Sequence, residues 1–247
     1  MDRLVYTALS GLKGQMQAQA TIANNIANAS TIGYRADRVN FERLLVQGDG
    51  HDSRQPSVET VVDMDRRAGA ITQTGRGLDI AITGEGWLAV QATDGSEAYT
   101  RRGDLRVAPS GVLETGDGFP VMGSGGPITV PPHDKIMIAA DGTLSIVPPD
   151  ADPTQPPQTI DQIKLVSDKG STTVKGLDNL LHVRGGGALP QDLDATVMTG
   201  ALEGSNVNLT QALVDMIENQ RSYEVQANLL RDAKAMDESS ASLMRVS

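Results

Sequence analysis

Few side chains in this 247-residue sequence are placed to do chemistry. There are three histidines (His51, His133 and His182), a single Trp87 and 31 Asp and Glu residues. Histidines that hold a metal recur at close spacing with other ligands, and these three do not; no HExxH string is present. The carboxylate pairs Asp63/Asp65 and Asp150/Asp152 have a spacing compatible with acid–base work, but in so acidic a chain such pairs arise by composition. "RGGGALP" and "GSGGPI" are glycine-rich, yet neither lies between a strand and a helix as a phosphate cradle must, so both read as loops. No Walker P-loop and no GxSxG occurs. Trp87 has two readings, a stacking platform for a ligand or an anchor of an apolar core, and the core reading is the stronger. The absence of cysteine removes disulfides, thiolate nucleophiles and thiolate metal sites. The sequence therefore offers no catalytic residue, no cofactor-binding residue, no metal ligand and no cofactor, and it does not read as an enzyme.

Hydrophobic residues make up 39% of the chain and aromatics only 3%, so a core must rest on aliphatic side chains. The net charge of −10 argues against nucleic acid, whose phosphates demand clustered Lys and Arg. The charge is uneven. Residues 1–38 carry Arg3, Lys13, Arg35 and Arg38 against Asp2 and Asp37, a net of +2, and residues 205–247 net −2, so the middle of the chain carries the acidity. No apolar run reaches the length of a membrane helix, and direct membrane insertion is not expected. "MDRLVYTALSGLKGQMQAQA" lacks a basic segment followed by a continuous apolar one, so an ordinary secretory signal is not expected either.

The elements at the two ends are helices. Val5, Leu9, Leu12, Met16, Gln19, Ala23 and Ile26 step alternately by four and three, which is a heptad-type seam. It predicts a helix over about residues 3–28, roughly 40 Å long at ~1.5 Å per residue. Leu209, Leu213, Met216, Gln220, Tyr223, Ala227 and Leu230 repeat the pattern and predict a helix over 209–245, with Asn208 and Gln211 placed as a capping box. Each seam holds one glutamine, which either fixes register or sits at the seam's edge. Isolated helices are marginal in water, so both ends need partners. An antiparallel pair within the chain and a bundle shared with other chains both satisfy that need.

The middle reads as a β body. From Ala68 short alternating segments such as Leu78–Ile82 and Leu88–Val90 are separated by the turn dipeptides Asp94-Gly95, Ser110-Gly111, Asp117-Gly118 and Asp141-Gly142. "IMIAADGTLSIV" predicts a hairpin around Asp141-Gly142, and "VPPDADPTQPPQ" an extended loop. Residues 36–66 read as a connector, with Phe41, Leu44, Leu45 and Val46 in a short helix. The expected fold class is α+β. Long N- and C-terminal helices (1–35 and 205–247) pack as a discontinuous coiled-coil-like domain, and an all-β barrel- or sandwich-like domain (67–204) is inserted between them.

"NNIANASTIGYR", residues 24–35, resembles the N-terminal motif of bacterial flagellar axial proteins. "GAITQTGRGLDIAITGEGWLAVQATDGSEAYTRRGDLRV" is similar to the β domain shared by flagellar rod and hook proteins, and "LEGSNVNLTQALVDMIENQRSYE" to the start of their C-terminal helix. The three stretches lie in the expected order and span most of the chain. "MDRLVYTALSG", "GEGWLAVQ" and the approach "MTGALEGSNVN" resemble the proximal rod branch; "IENQRSYE" lies nearer the distal pattern.

The resemblance implies a structural subunit of the flagellar rod, a helical tubular drive shaft that crosses the periplasm and carries torque from motor to hook. Its implied partners are other copies of itself, other proximal and distal rod proteins, and the flagellar type III export apparatus that carries the chain out. The residues expected at the assembly interface are Leu4, Val5, Leu9, Leu12, Met16, Asn24, Asn25, Asn28, Thr31, Gly33 and Tyr34 from one end. From the other they are Leu213, Met216, Ile217, Tyr223 and Leu230. Asn24 and Asn28 are expected to share a helix face and to offer their amides to a neighbouring copy. The competing readings are a distal rod protein and, from a different class, a secreted glycan-binding β domain that uses Trp87.

Overall fold

The computed structural model describes residues 2–43, 57–149 and 155–245. Two long helices lie at its ends, α1 (Asp2–Ala27) and α2 (Leu209–Arg245), where the seams predict them. Strands occupy the rest, and the fold is α+β. The chain divides into two compact units. One holds α1, the strands β1 (Asp37–Arg43) and β2 (Ser57–Met64), and α2; the other holds residues 28–36 and 65–206.

In the helical unit α1 and α2 run antiparallel. Gly11 faces Gln226, and Gln15 faces Asn219 and Ser222. A Cβ at Gly11 would lie 3.3 Å from the Gln226 amide oxygen, so this glycine admits the partner helix. α2 starts with a one-sided cap. The Asn208 side chain accepts from Gln211 N at 3.1 Å, but the Gln211 amide bonds forward to Asp215 rather than back to Asn208, so the box is not reciprocal.

β1 and β2 form an antiparallel ladder from Asp37↔Met64 to Arg43↔Ser57, with an irregularity between Val39 and Phe41. Phe41 is therefore in a strand, not in the short helix expected for it; Leu44, Leu45 and Val46 lie outside the described residues. The reason is visible in the partner strand "SVETVVDM", whose β-branched residues favour an extended chain.

The body is built from β3 (Ile71–Gln73), β4 (Ile80–Thr83), β5 (Trp87–Gln91), β6 (Glu97–Thr100), β7 (Arg106–Val107) and β8 (Leu113–Glu114). It continues with β9 (Lys135–Ile138), β10 (Thr143–Val147), β11 (Gln158–Gln162), β12 (Leu165–Val166), β13 (Thr173–Lys175), β14 (Leu181–Val183), β15 (Thr196–Thr199) and β16 (Ala201–Glu203). The largest sheet has the order β12-β5-β6-β14-β13; β11-β10-β9 form a second, and β15-β4, β16-β3 and β7-β8 pair separately. β9 and β10 form the hairpin expected around Asp141-Gly142. Gly142 takes φ +84°, and Asp141 accepts from Thr143 N at 2.9 Å.

The core is aliphatic, as the composition requires. Leu88, Val90, Leu105, Leu113, Val121, Leu144 and Ile163 are fully buried. Alternation in the central strands is weaker than the sequence suggests. Ile80, Ala81 and Ile82 are all buried, and so are Trp87 to Val90, because both faces of these strands are covered. The expected loop over 148–157 falls partly outside the described residues.

Candidate assembly site

Among the described residues, amides bond across the contact between α1 and α2. Gln15 Nε2 donates to Ser222 Oγ at 2.6 Å, and Asn219 Nδ2 donates to Gln15 O at 3.0 Å and to Gln19 Oε1 at 2.8 Å. Gln19 is thus a polar member of the helix contact, while Gln220 bonds Glu224 of its own helix at 3.4 Å and lines the cleft beside Gln19 and Asn219. Several apolar residues of the two seams stay exposed. Leu9 is 57% exposed, Met16 61%, Leu213 46% and Ile217 56%. Tyr223 is exposed, and Leu12, Met216 and Leu230 are half-buried. Leu9, Met16 and Ala23, seven residues apart on α1, form one exposed line, and Leu12, Gln19 and Ile26 a half-buried one. Leu4 and Val5 belong to α1, but their side chains lie outside the described residues.

The asparagines after these lines bond within the chain. Asn24 Nδ2 reaches Asp37 Oδ2 at 3.1 Å, and Asn25 makes two bonds of 2.9 Å with the Asp37 backbone. Asn28 lies one residue past α1, so it does not extend the helix face of Asn24. Its carbonyl and side-chain oxygens take Thr31 N and Thr31 Oγ1, both at 3.1 Å, and close the turn that ends the helix.

From Gly33 onward the segment is bonded into the β body. Gly33 N donates to Glu203 O at 2.8 Å with φ +67°, and a Cβ there would overlap the Arg101 backbone, so only glycine fits. Tyr34 is buried, with the Lys175 ammonium 3.8 Å from its ring centre. Beneath it lies a buried cluster that sequence reasoning missed. Arg35, Arg101 and Glu203 are 3%, 3% and 1% exposed. Glu203 pairs with Arg35 at 2.7 Å and with Arg101 at 3.2 Å, and its Oε1 also accepts from Gly69 N at 2.8 Å. Two guanidinium groups against one carboxylate leave a surplus positive charge. The carbonyls of Arg67, Ile82 and Gly84 offset it by accepting from the two arginines. Burial pushes the Arg101 guanidinium down to about 10, against the pull of Glu203. Asn206 completes the clamp. Its oxygen accepts from Ala36 N at 2.7 Å, and its amide donates to Asp65 O and Arg67 O at 2.9 and 2.8 Å. The local signal was slight: a period of two places Glu203 on the buried face beside Ala201.

Trp87 is buried with the Arg101 guanidinium 5.5 Å from its ring centre. The cavity beside it, about 100 Å³, is also lined by Arg66, Glu85, Asp168 and Lys169. Asp168 is held by Arg66, and Glu85 by Lys169 at 3.0 Å, a bond that keeps the Glu85 carboxyl below its ordinary range. Burial and the Arg101 guanidinium occupy the ring of Trp87 with the protein's own groups, and both carboxylates of this cavity have cationic partners. Asp65, of the first carboxylate pair, is bound by Arg67 at 2.9 Å, and Asp150/Asp152 lie outside the described residues. His133 bonds Pro131 O and His182 bonds Asp178; His51 lies outside the described residues.

Three family models match the chain. Flagella basal body rod protein covers residues 5–35, the Flagellar hook protein FlgE/F/G D1 domain 81–146, and the Flagellar basal body rod FlgEFG protein C-terminal 198–243. Flagellar basal-body rod protein FlgF of Salmonella typhimurium is 39% identical over 236 residues, covering 93% of each chain. The chain belongs to the flagellar basal-body rod protein family. FlgF of Escherichia coli is equally similar, at 39% over 93% of each chain. The family also includes more distant relatives; FlgG of Bacillus subtilis is 32% identical over 93% of this chain and 94% of its own. Membership of the rod family places the joint at residues 24–36 and the exposed helix lines in a protein that works as a structural part of an assembly.

Proposed function

We propose that this chain is a structural subunit of the proximal flagellar rod, exported through the flagellar type III apparatus and built into a helical, torque-bearing tube within the periplasm. Its partners are further copies of itself and the neighbouring rod proteins. The terminal helices, residues 1–35 and 205–247, form the coiled-coil-like wall of the tube, with residues 36–66 as connector. The β domain, residues 67–204, packs outside as a barrel- or sandwich-like body. The observation that carries this reading is the exposed apolar side of the helix pair. Amides bond across the pair while Leu9, Met16, Leu213, Ile217 and Tyr223 stay exposed, an arrangement that is costly in water and suits a helix awaiting neighbours. Leu4, Val5, Leu12, Met216 and Leu230 complete the packing set. Asn24, Asn25, Asn28, Thr31, Gly33 and Tyr34 serve the interface indirectly, by fixing the joint below it. The greater identity to two FlgF chains, 39% against 32% for Bacillus subtilis FlgG, supports the proximal over the distal position.

Hydrogen exchange tests the proposal. In the free chain the amides of 2–27 and 209–245 should exchange rapidly, and in isolated basal bodies the same amides should be protected. Strong protection already present in the free chain would identify a self-sufficient hairpin and turn attention back to the β body.

A further inference from the structure

Charge does not balance around the cavity beside Trp87. Its lining carries three cations, Arg66, Arg101 and Lys169, and two carboxylates, Glu85 and Asp168. Arg101 also reaches the cluster it shares with Arg35 and Glu203. Arg35, Arg66, Arg101 and Lys169 thus stand against Glu85, Asp168 and Glu203, four cations against three carboxylates. In a chain of net charge −10, a positive surplus at one largely buried point runs against the composition.

The outer pairs are closed. Arg66 bonds Asp168, and Lys169 bonds Glu85 at 3.0 Å. Arg101 is not closed, although it is buried. Its Nη1 donates to Ile82 O at 2.9 Å and meets Glu203 at 3.2 Å, and its Nη2 bonds Gly84 O. Its Nε finds no acceptor among the described residues. Asp168 and Glu85 draw on Arg101 through space while bonding their own cations. A buried charged donor without an acceptor keeps its full desolvation cost, and an anion within reach would relieve it.

Size and charge narrow the anion. The cavity holds about 100 Å³, well below the ~300 Å³ of an ordinary small-molecule pocket. A single ion with a water or two fits, and a bulky molecule does not. The surplus is one charge, so a doubly charged anion would overshoot it and be repelled by Asp168 and Glu85.

We infer that this cavity binds one compact monovalent anion, a halide or a small carboxylate, among Arg101, Arg66 and Lys169 beside Trp87. The ion supplies the counter-charge that the buried cluster lacks. Because Arg101 pairs with Glu203, and Glu203 with Arg35, its binding also steadies the segment that follows α1. The inference stands apart from the rod-subunit reading, and its failure would leave that reading intact.

Trp87 is the only tryptophan, and burial shields it from collision with solutes. The purified full-length chain is titrated with bromide, which quenches indole on contact. Ionic strength is held constant with gluconate, a carboxylate too large for the cavity. Quenching should saturate, and chloride and formate should reverse it while sulfate does not. Reversal by chloride but not by formate would support a site restricted to halides. Quenching that is absent, that grows with bromide without limit, or that sulfate reverses as well as chloride would overturn the inference. Two exposed side chains of the lining give a second test that spares the fold. Lys169→Gln should weaken bromide binding several-fold, and Glu85→Gln should strengthen it several-fold. Loss of the Lys169–Glu85 pair alone would move both variants the same way, and that result rejects the site.

Discussion

At the scale of single residues, Glu203 holds the most consequential position. It is the one carboxylate between two buried arginines, and Glu203→Gln would leave both guanidinium groups without a counter-charge. Removing one partner of a buried ion pair costs about 3–5 kcal/mol, and the body should lose that much stability in urea unfolding. Trp87 is a built-in reporter, since Arg101 covers its ring and the indole emission should change with the cluster. Gly33→Ala should cost about 1–3 kcal/mol by the same measurement, from its left-handed backbone alone. Tyr99 gives the body an alkaline limit. Burial raises its phenol to about 12, from 10 in the unfolded chain. Its stabilising contribution is therefore complete below pH 10 and is lost as the pH climbs toward 12. Unfolding in urea across that range should show Tyr99→Phe losing less stability with pH than the wild type. At neutral pH the variant should already be weaker by about 1–3 kcal/mol, because Leu189 N loses its acceptor.

At the scale of elements, the two helices and the Asp141-Gly142 hairpin were legible because period and turn chemistry are local properties. The direction of the helix seams was not. A repeat of apolar residues reports that a line exists, and nothing in it says what covers the line. Leu9 and Met16 obey the heptad yet remain exposed, while Gln15 and Asn219, which no hydrophobic count would select, make the helix contact. The connector was misread for a related reason: Phe41 is ambiguous alone and becomes a strand residue only when "SVETVVDM" pairs with it. The clamp was hidden because Arg35, Arg101, Glu203 and Asn206 come from remote parts of the chain, and a charge looks solvated until its partners are known. The cap of α2 was visible in part. Asn208→Ala should cost about 1 kcal/mol, which speeds hydrogen exchange in the first turn of α2 about fivefold.

At the scale of the whole molecule, the two units differ in kind. The body has an aliphatic core, and the helical unit has amides bonding across its helix pair and exposed apolar residues along it. On heating the free chain, helical circular dichroism should be lost at a lower temperature than the Trp87 signal of the body, and a single coincident transition would contradict that expectation. The chain crosses between the units four times, after Ala27, Ala36, Met64 and Asn206. On the body, these passages converge. Tyr34 to Ala36, Asp65 to Gly69 and Glu203 to Asn206 are fastened to one another by the Arg35–Glu203 pair and the three bonds of Asn206. A lone strand leading into a folded body is a swivel, because its backbone torsions turn freely. Several strands pinned side by side behave as a spline: none can rotate without dragging the rest, so twist arriving along one is shared by all.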